Sequence, residues 1–307
     1  MSSTLSILFL GDVVGRPGRR VVSKFLASAQ RPKTDLTIVN VENSAHGFGL
    51  TEQNLKEFVD AGIDVLTGGN HTFDRKELFN FIDKYPNLLR PANYPEGTPG
   101  KGCGVFTIGD TKVAVINLLG RVFMEPLRSP FALADELVEH VRHHASVIFV
   151  DFHAEATAEK VTMGRYLDGR VSVVVGTHTH IQTADERILP NGTAYITDVG
   201  CCAPVDSIIG MDYAAVHRRL IEQLPAKFEV ASGRAQACGV VVKVDKKTGK
   251  AVSIERVRFE EQDESPAHHE HSDETEHDGD AKSDKLGSGR REPAKAEKSP
   301  TTPEKAR

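Results

Sequence analysis

Two histidines follow a run of β-branched residues near the middle of the chain. Residues 173–176, Val-Val-Val-Gly, lead directly into Thr177-His178-Thr179-His180. If the run is a buried parallel strand whose extended backbone continues, His178 and His180 point to the same side, because side chains alternate in direction along a strand. Two same-facing imidazoles at the carboxyl end of a strand predict an edge that binds a metal ion. Alone, this pair is only moderately specific.

Four other predicted strands end in residues that can also bind metals. These residues are, in chain order, Asp12, Glu42, Asn43, Asn70, His71 and His153. In an open α/β sheet the functional crevice lies beyond the carboxyl ends of the strands, so all of these side chains should face one region. The set contains carboxylates, amides and imidazoles but no thiolate. Such a mixture suits iron, manganese, zinc or nickel better than magnesium or calcium.

The number of candidate ligands is too large for one ion and suits two. The predicted ligands are Asp12, Glu42, Asn43, Asn70, His153, His178 and His180. Glu42 is the natural bridge, because two metals about 3.5–4 Å apart need one group that touches both. Such a pair can hold a phosphate and lower the pKa of a water molecule towards neutrality. His71, beside Asn70, is placed to protonate the leaving oxygen or to stabilise the developing charge. The hypothesis is metal-assisted phosphoester hydrolysis.

The elements that must position these residues follow an α/β pattern. The order βαβαβ, then mixed elements, then an antiparallel finish predicts one mixed sheet or two sheets with helices outside. Thr51 is a predicted helix cap, because an apolar helical face begins at Asn54 and Leu55. We predict strands over 5–10, 36–41, 63–66, 147–150, 171–176 and 228–231, a hairpin of 104–108 with 113–117, and helices over 51–61, 76–85 and 213–223.

Composition limits the class of protein. The 307 residues carry a formal net charge of -5 without a basic stripe, which argues against duplex nucleic acid as a partner. Four cysteines without a CxxC pair indicate reduced thiols in a cytoplasmic protein, and no apolar run is long enough to span a membrane. Residues 1–260 are predicted to form one catalytic domain. Residues 261–307, rich in charge, His, Lys and Pro, are predicted to be a disordered tail.

Taken together and in order, the motifs resemble those of the calcineurin-like metallophosphoesterases, and more narrowly their YmdB-like branch. The resemblance spans roughly residues 5–258 and rests on Gly11-Asp12-Val13-Val14-Gly15, Val41-Glu42-Asn43, Gly69-Asn70-His71-Thr72, His153, Gly176-Thr177-His178-Thr179-His180 and Thr197-Asp198-Val199-Gly200. It implies a four-layer α/β/β/α sandwich with two mixed sheets flanked by helices. It also implies a dinuclear centre, with iron as the first choice and manganese or zinc as alternatives. The implied activity is a phosphodiesterase for 2′,3′-cyclic nucleotides.

The resemblance also implies a role for each site residue. Asp12 and His180 would hold one metal, with Asn43 nearby. Asn70, His153 and His178 would hold the other. Glu42 would bridge the two metals, and His71 would be catalytic. The chain departs from the broad superfamily at three positions. Val14 stands where a histidine is usual, the bridging carboxylate is a glutamate, and Thr72 follows His71 in place of an acidic partner. The sequence therefore does not identify the residue that orients His71.

Several alternatives remain open. The same centre could serve a phosphomonoesterase or 5′-nucleotidase, or a metal-dependent regulatory protein with little turnover. The predicted partner is a small phosphodiester or nucleotide, but the substrate-binding residues are unknown. Arg16, Arg19 and Arg20 could meet a phosphate, although ordinary surface charge explains them as well. A homo-oligomer interface could form from apolar loop residues around Phe123 and at 130–131.

Overall fold

The computed structural model describes residues 3–262. The described part reaches two residues beyond the boundary at residue 260 that composition predicts, and the carboxylate of Glu261 accepts hydrogen bonds from Arg20 and from the Ala235 amide. The predicted disorder over residues 263–307 lies outside the described residues. No helix within 3–262 is long and apolar enough to cross a membrane.

Strands and helices alternate along the described chain. The helices are α1 (Gly15–Ala27), α2 (Glu52–Asp60), α3 (Pro130–Val141), α4 (Thr157–Leu167) and α5 (Tyr213–Leu220). The strands are β1 (Thr4–Leu10), β2 (Asp12–Val13), β3 (Leu36–Asn40), β4 (Val65–Thr67), β5 (Leu88–Leu89), β6 (Cys103–Ile108), β7 (Thr111–Leu119), β8 (Val147–His153), β9 (Val173–Thr177), β10 (Arg187–Ile188), β11 (Ala194–Ile196), β12 (Cys201–Pro204), β13 (Ala235–Asp245) and β14 (Ala251–Glu260).

The strands form two mixed sheets. The first has eight strands in the order β2-β12-β13-β1-β3-β4-β5, with β14 paired to β13. In it, β1, β3, β4 and β5 run parallel, whereas β13 runs antiparallel to β1. The second sheet has the order β10-β11-β9-β8-β7-β6, and β7, β8, β9 and β11 are parallel. Parallel strands present their carboxyl ends at one edge, so β3, β4, β8 and β9 can deliver functional side chains to a common region.

The two sheets pack face to face and are covered by helices. Phe9 of β1 stacks on Phe149 of β8 with ring centroids 5.2 Å apart, inside an apolar cluster that joins both sheets. Helices α1 and α2 cover the other face of the first sheet, where Phe25 and Phe58 are buried. Helices α3 and α4 cover the second sheet in the same way, with Met163 buried. The predicted four-layer α/β/β/α sandwich is confirmed.

Local predictions were right where the sequence contained a specific signal. The Thr51 hydroxyl caps α2 by accepting the Asn54 amide at 3.2 Å, and β6 pairs with β7 as an antiparallel hairpin. The helix expected over 76–85 is wrong. That segment forms two short 3-10 helices, Lys76–Asn80 and Ile82–Lys84, separated at Phe81. The strand expected over 228–231 is wrong as well, because only Val230 pairs, in a single bridge to Met211.

Candidate metal centre

His153 lies at the centre of the predicted ligand set. It is fully buried at the end of β8. Its Nε2 atom is 3.1 Å from Glu42 Oε1, 3.0 Å from Asn70 Oδ1 and 3.1 Å from His178 Nδ1. Its Nδ1 atom is 3.5 Å from Asp12 Oδ1. Side chains from five separate segments of the chain therefore meet around the His153 imidazole.

His178 and His180 reach this region by a route that sequence pattern does not predict. Strand β9 ends at Thr177, and the two histidines have positive φ angles of 98° and 65°. The expectation that the backbone stays extended through this pair is therefore wrong. The His178 amide donates to Asp12 Oδ2 at 3.0 Å. The Nδ1–H of His180 donates to the Ile209 carbonyl at 2.8 Å, which leaves Nε2 as the atom with a lone pair.

The donor set fits a metal cation. One donor atom each from Glu42, His153 and His178 lie within 4.8 Å of one another. Asp12 Oδ1 and Asn43 Oδ1 are buried without a hydrogen-bond partner. A buried acceptor left without a donor costs about 1–3 kcal/mol, and a cation removes that cost. The orphaned atoms belong to two of the residues that the sequence selects as ligands.

A glycine makes the close approach of these side chains possible. Gly69 lies two residues after the end of β4 and directly before Asn70. A Cβ atom at this position would lie 2.2 Å from Glu42 Oε2 and 2.5 Å from His153 Nε2. These distances are far inside van der Waals contact, so any side chain here would occupy the space in which the donor atoms meet. The glycine in the Gly-Asn-His motif is therefore required by the centre itself.

The electrostatics of the cluster favour a cation. Burial alone would lower the pKa of His153, but the carboxylates of Glu42, Asp12 and Asp151 outweigh it and raise the pKa to about 9. Burial would raise the pKa of Glu42, yet the charge and hydrogen bond of His153 hold it at about 2. Burial, followed by repulsion from His153, lowers the pKa of His178 to about 3. The carboxylates thus create a negative potential here, and the imidazole of His178 is kept neutral, which is the form that binds metals.

A hydrogen-bonded chain behind His153 fixes the orientation of its ring, and sequence analysis did not identify it. Thr177 Oγ1 donates to Asp151 Oδ1 at 2.8 Å and lies 2.9 Å from His153 Nδ1. Because the Thr177 proton goes to the carboxylate, its oxygen accepts from His153 Nδ1–H. Asp151 is also held by Asn40 and Thr67, and burial raises its pKa to about 6. This arrangement directs the other ring nitrogen of His153 towards Glu42 and Asn70.

A buried ion pair holds the loop that carries the two histidines. Lys160 of α4 places its Nζ atom 2.6 Å from Asp198 Oδ2, and both side chains are almost completely buried. The same Asp198 oxygen accepts the Thr179 amide at 3.1 Å and the Thr179 hydroxyl at 2.6 Å. Its other oxygen accepts the Gly200 amide. The residue between His178 and His180 is thus fixed to the interior from both its main chain and its side chain.

Asp74 is the residue that orients His71. Its Oδ2 atom is 2.8 Å from His71 Nδ1, and the Phe48 ring packs edge-on against the imidazole with centroids 4.9 Å apart. Thr72 has a different task, because its hydroxyl donates to the Gly69 carbonyl at 2.7 Å and closes the turn. The His71 amide donates to Glu42 Oε2 at 3.0 Å, which ties the histidine to the ligand cluster.

Comparison with known proteins assigns the family. The model of the family described as "YmdB-like protein" matches residues 8–257. The chain belongs to the YmdB-like family. It is 53% identical over 254 residues to the 2′,3′-cyclic-nucleotide 2′-phosphodiesterase of Bacillus subtilis (strain 168), and the match covers 82% of this chain and 96% of that protein.

Two solved structures that match this chain over most of its length agree with this assignment, and a third shares only the fold. A protein from Thermus thermophilus is similar with a TM-score of 0.78 and 38% identity, covering 84% of this chain and 100% of that one. A structure described as a novel phosphatase from Mycoplasma pneumoniae gives a TM-score of 0.81 at 36% identity, covering 86% and 96%. The NAD nucleotidase of Haemophilus influenzae, at 15% identity and a TM-score of 0.51, covering 83% of this chain and 55% of that one, shares the fold alone.

Proposed function

We propose that this YmdB-like chain is a metal-dependent phosphodiesterase that hydrolyses 2′,3′-cyclic nucleotides. The observation that carries the proposal is the meeting of donors at His153 Nε2, where Glu42 Oε1 and Asn70 Oδ1 lie 3.1 and 3.0 Å away. The similarity to the Bacillus subtilis enzyme, which is named for this activity, supports the substrate class. The alternative from a different class, a metal-dependent regulatory protein with little turnover, gives no reason for a fixed His71 beside the ligands.

We propose that the cluster holds two ions. Asp12 and His180 would hold one with Asn43 beside it, Asn70, His153 and His178 would hold the other, and Glu42 would bridge them. Iron is the first choice for this nitrogen and oxygen donor set, with manganese or zinc as alternatives. When bound, such ions polarise the phosphate and lower the pKa of water, so that a nucleophile forms near neutral pH.

His71 is the proposed general acid. Its Nδ1 atom is engaged by Asp74 at 2.8 Å, so Nε2 is the atom available to the substrate. Opening a 2′,3′-cyclic phosphate releases one ribose oxygen, which must gain a proton. In this proposal the proton comes from His71, whose ring Asp74 holds in place. Phe48 restricts the rotation of the imidazole by packing against it.

Replacing Glu42 with Gln tests the proposal. The variant keeps the size of the side chain but loses the charge that would hold both ions. In protein purified without oxygen, we expect elemental analysis to show loss of metal and the hydrolysis of 2′,3′-cyclic AMP to fall at least 100-fold. Glu139→Gln, a change at an exposed position of α3, is the matched control. A Glu42→Gln protein that hydrolyses the substrate at the wild-type rate would refute the proposal.

A phosphomonoesterase with the same centre is the second candidate, because the similar Mycoplasma pneumoniae structure is described as a phosphatase. Comparing kcat/KM for 2′,3′-cyclic AMP and for p-nitrophenyl phosphate separates the two. We also propose that the protein acts in the cytoplasm, since all four cysteines are free thiols, as is usual in a reducing compartment. The homo-oligomer interface around the highly exposed Phe123 stays a prediction.

A further inference from the structure

A cavity lies next to the proposed general acid. Its volume is about 840 Å³, within the range of roughly 300–1,000 Å³ usual for small-molecule sites. Phe48 lines the cavity and also packs against the imidazole of His71, with centroids 4.9 Å apart. Asn43, one of the proposed ligands, donates to the carbonyl of Gly47 in the same loop. The cavity and the candidate metal centre therefore share one wall.

The lining of the cavity is cationic. Arg16, Arg75, Arg219 and Lys227 line it against one carboxylate, that of Glu229. Arg75 is occupied, because it donates to the carbonyls of Ala45 and Phe48 and so braces the shared wall. Within residues 3–262, no carboxylate forms an ion pair with Arg16, Arg219 or Lys227, whereas the nearby Arg19 pairs with Glu57. Three positive charges that form no ion pair within the described residues thus line one space, against the single carboxylate of Glu229.

Two aromatic rings accompany these charges. Phe48 and Phe228 both line the cavity. The Arg219 guanidinium lies 5.0 Å from the centroid of the Phe228 ring, a cation–π contact that holds the charge at the cavity wall. Aromatic rings interleaved with positive charges are the elements that bind single-stranded nucleotides, because bases stack on the rings and phosphates meet the cations.

A cyclic mononucleotide does not need such a cavity. Its single phosphate would lie at the metal centre, which leaves nothing anionic for Arg16, Arg219 and Lys227. In a 2′,3′-cyclic phosphate both ribose hydroxyls are used, so a further phosphate can be attached only on the 5′ side. We propose that the cavity binds the 5′-phosphate and the preceding nucleoside of a single-stranded ribonucleotide whose 3′ end carries the cyclic phosphate. This inference rests on the proposed function and names its substrate class.

Three substrates test the inference with the full-length protein. They are 2′,3′-cyclic AMP, the same nucleotide with a 5′-phosphate, and the adenosine dinucleotide that ends in a 2′,3′-cyclic phosphate. We expect kcat/KM to rise at least about tenfold when the 5′-phosphate is added, because several partly exposed cations each contribute a few-fold. A further rise is expected for the dinucleotide, whose second base can stack on Phe228. The gain from the 5′-phosphate should shrink between 50 and 200 mM salt, because it depends on charge.

The double variant Arg219→Ala/Lys227→Ala should remove most of the gain from the 5′-phosphate and leave kcat/KM for 2′,3′-cyclic AMP unchanged. Arg218→Ala is the matched control, since Arg218 precedes Arg219 on α5 but does not line the cavity. Equal kcat/KM for the first two substrates would overturn the inference, as would an equal loss in the Arg218→Ala control. No further rise for the dinucleotide would overturn its nucleoside part. If the protein hydrolysed none of the three substrates, the proposed function itself would be refuted.

Discussion

Lys160→Met is the sharpest test of how the histidine loop is held. The substitution keeps most of the apolar length of the side chain and removes the ammonium group that lies 2.6 Å from Asp198 Oδ2. Lys160 is only 1% exposed, so water cannot replace the lost partner. Asp198 keeps three other donors, the Thr179 amide, the Thr179 hydroxyl and the Gly200 amide. The Asp198 carboxylate therefore loses one charged donor but keeps hydrogen bonds to both of its oxygens.

Breaking a buried ion pair by removing one partner costs about 3–5 kcal/mol, and the remaining donors place this case at the lower end, about 3 kcal/mol. For a domain of this size, that corresponds to a decrease in Tm of roughly 6–12 °C. Asp198→Asn should cost about 4 kcal/mol, because it leaves the ammonium buried with poorer acceptors. In the double variant the two losses should overlap, with a coupling free energy of about 2 kcal/mol or more.

Urea unfolding of protein that has been treated with a metal chelator measures these free energies without a contribution from bound ions. Lys56→Met is the control, because Lys56 pairs with Glu52 at 3.5 Å on the surface of α2, where both side chains are exposed. Its expected cost is below about 0.5 kcal/mol. A Lys160→Met cost as small as the control, or single-variant losses that simply add in the double variant, would refute the reasoning.

Two further predictions concern other parts of the protein. Asp74→Asn should lower kcat for 2′,3′-cyclic AMP about 10–100-fold through misorientation of His71, with metal content by elemental analysis unchanged; wild-type kcat would contradict the assigned role. Glu261 is held at a pKa of about 2, because hydrogen bonds from Arg20, Ala235 and Lys24 outweigh its partial burial. A carboxylate whose pKa is lowered in the folded state stabilises the fold above its ordinary pKa near 4.5, and this stabilisation is lost as the pH falls towards 2. In chemical unfolding, Glu261→Gln should therefore lower the free energy of unfolding by about 1–2 kcal/mol at pH 7 and by almost nothing near pH 2. A loss that does not depend on pH would contradict this.

The proposed metal-binding residues at the strand ends were predictable because each of them closely follows a recognisable apolar run. A carboxylate, amide or imidazole directly after a buried apolar run is unusual, and parallel strands bring such residues to one edge. His153 and Glu42 were selected on that ground, and their side chains meet in the structure at 3.1 Å. The cap of α2 and the β6–β7 hairpin were predictable for the same reason, since each depends on a few adjacent residues.

The supporting residues were not predictable because their partners are distant in sequence or reached through irregular turns. Lys160 lies on a helix, where a lysine usually faces solvent, and its partner Asp198 is 38 residues away. Asp74 meets His71 across a turn that no periodicity reveals. The alternating run at 228–231 was mistaken for a strand, because nothing in the run indicates that it lacks a neighbouring strand and lines a cavity instead.

The positive φ angles of His178 and His180 have a consequence for metal capture. Such a backbone costs on the order of 1–3 kcal/mol for each non-glycine residue. Here the Asp12 carboxylate, the Ile209 carbonyl and the Asp198–Lys160 pair hold the loop in place by protein contacts alone. The conformational entropy of this loop is therefore lost during folding, and an arriving ion does not have to order it. The proposed centre is therefore preorganised, so that a bound metal ion can leave and return without the fold being rebuilt.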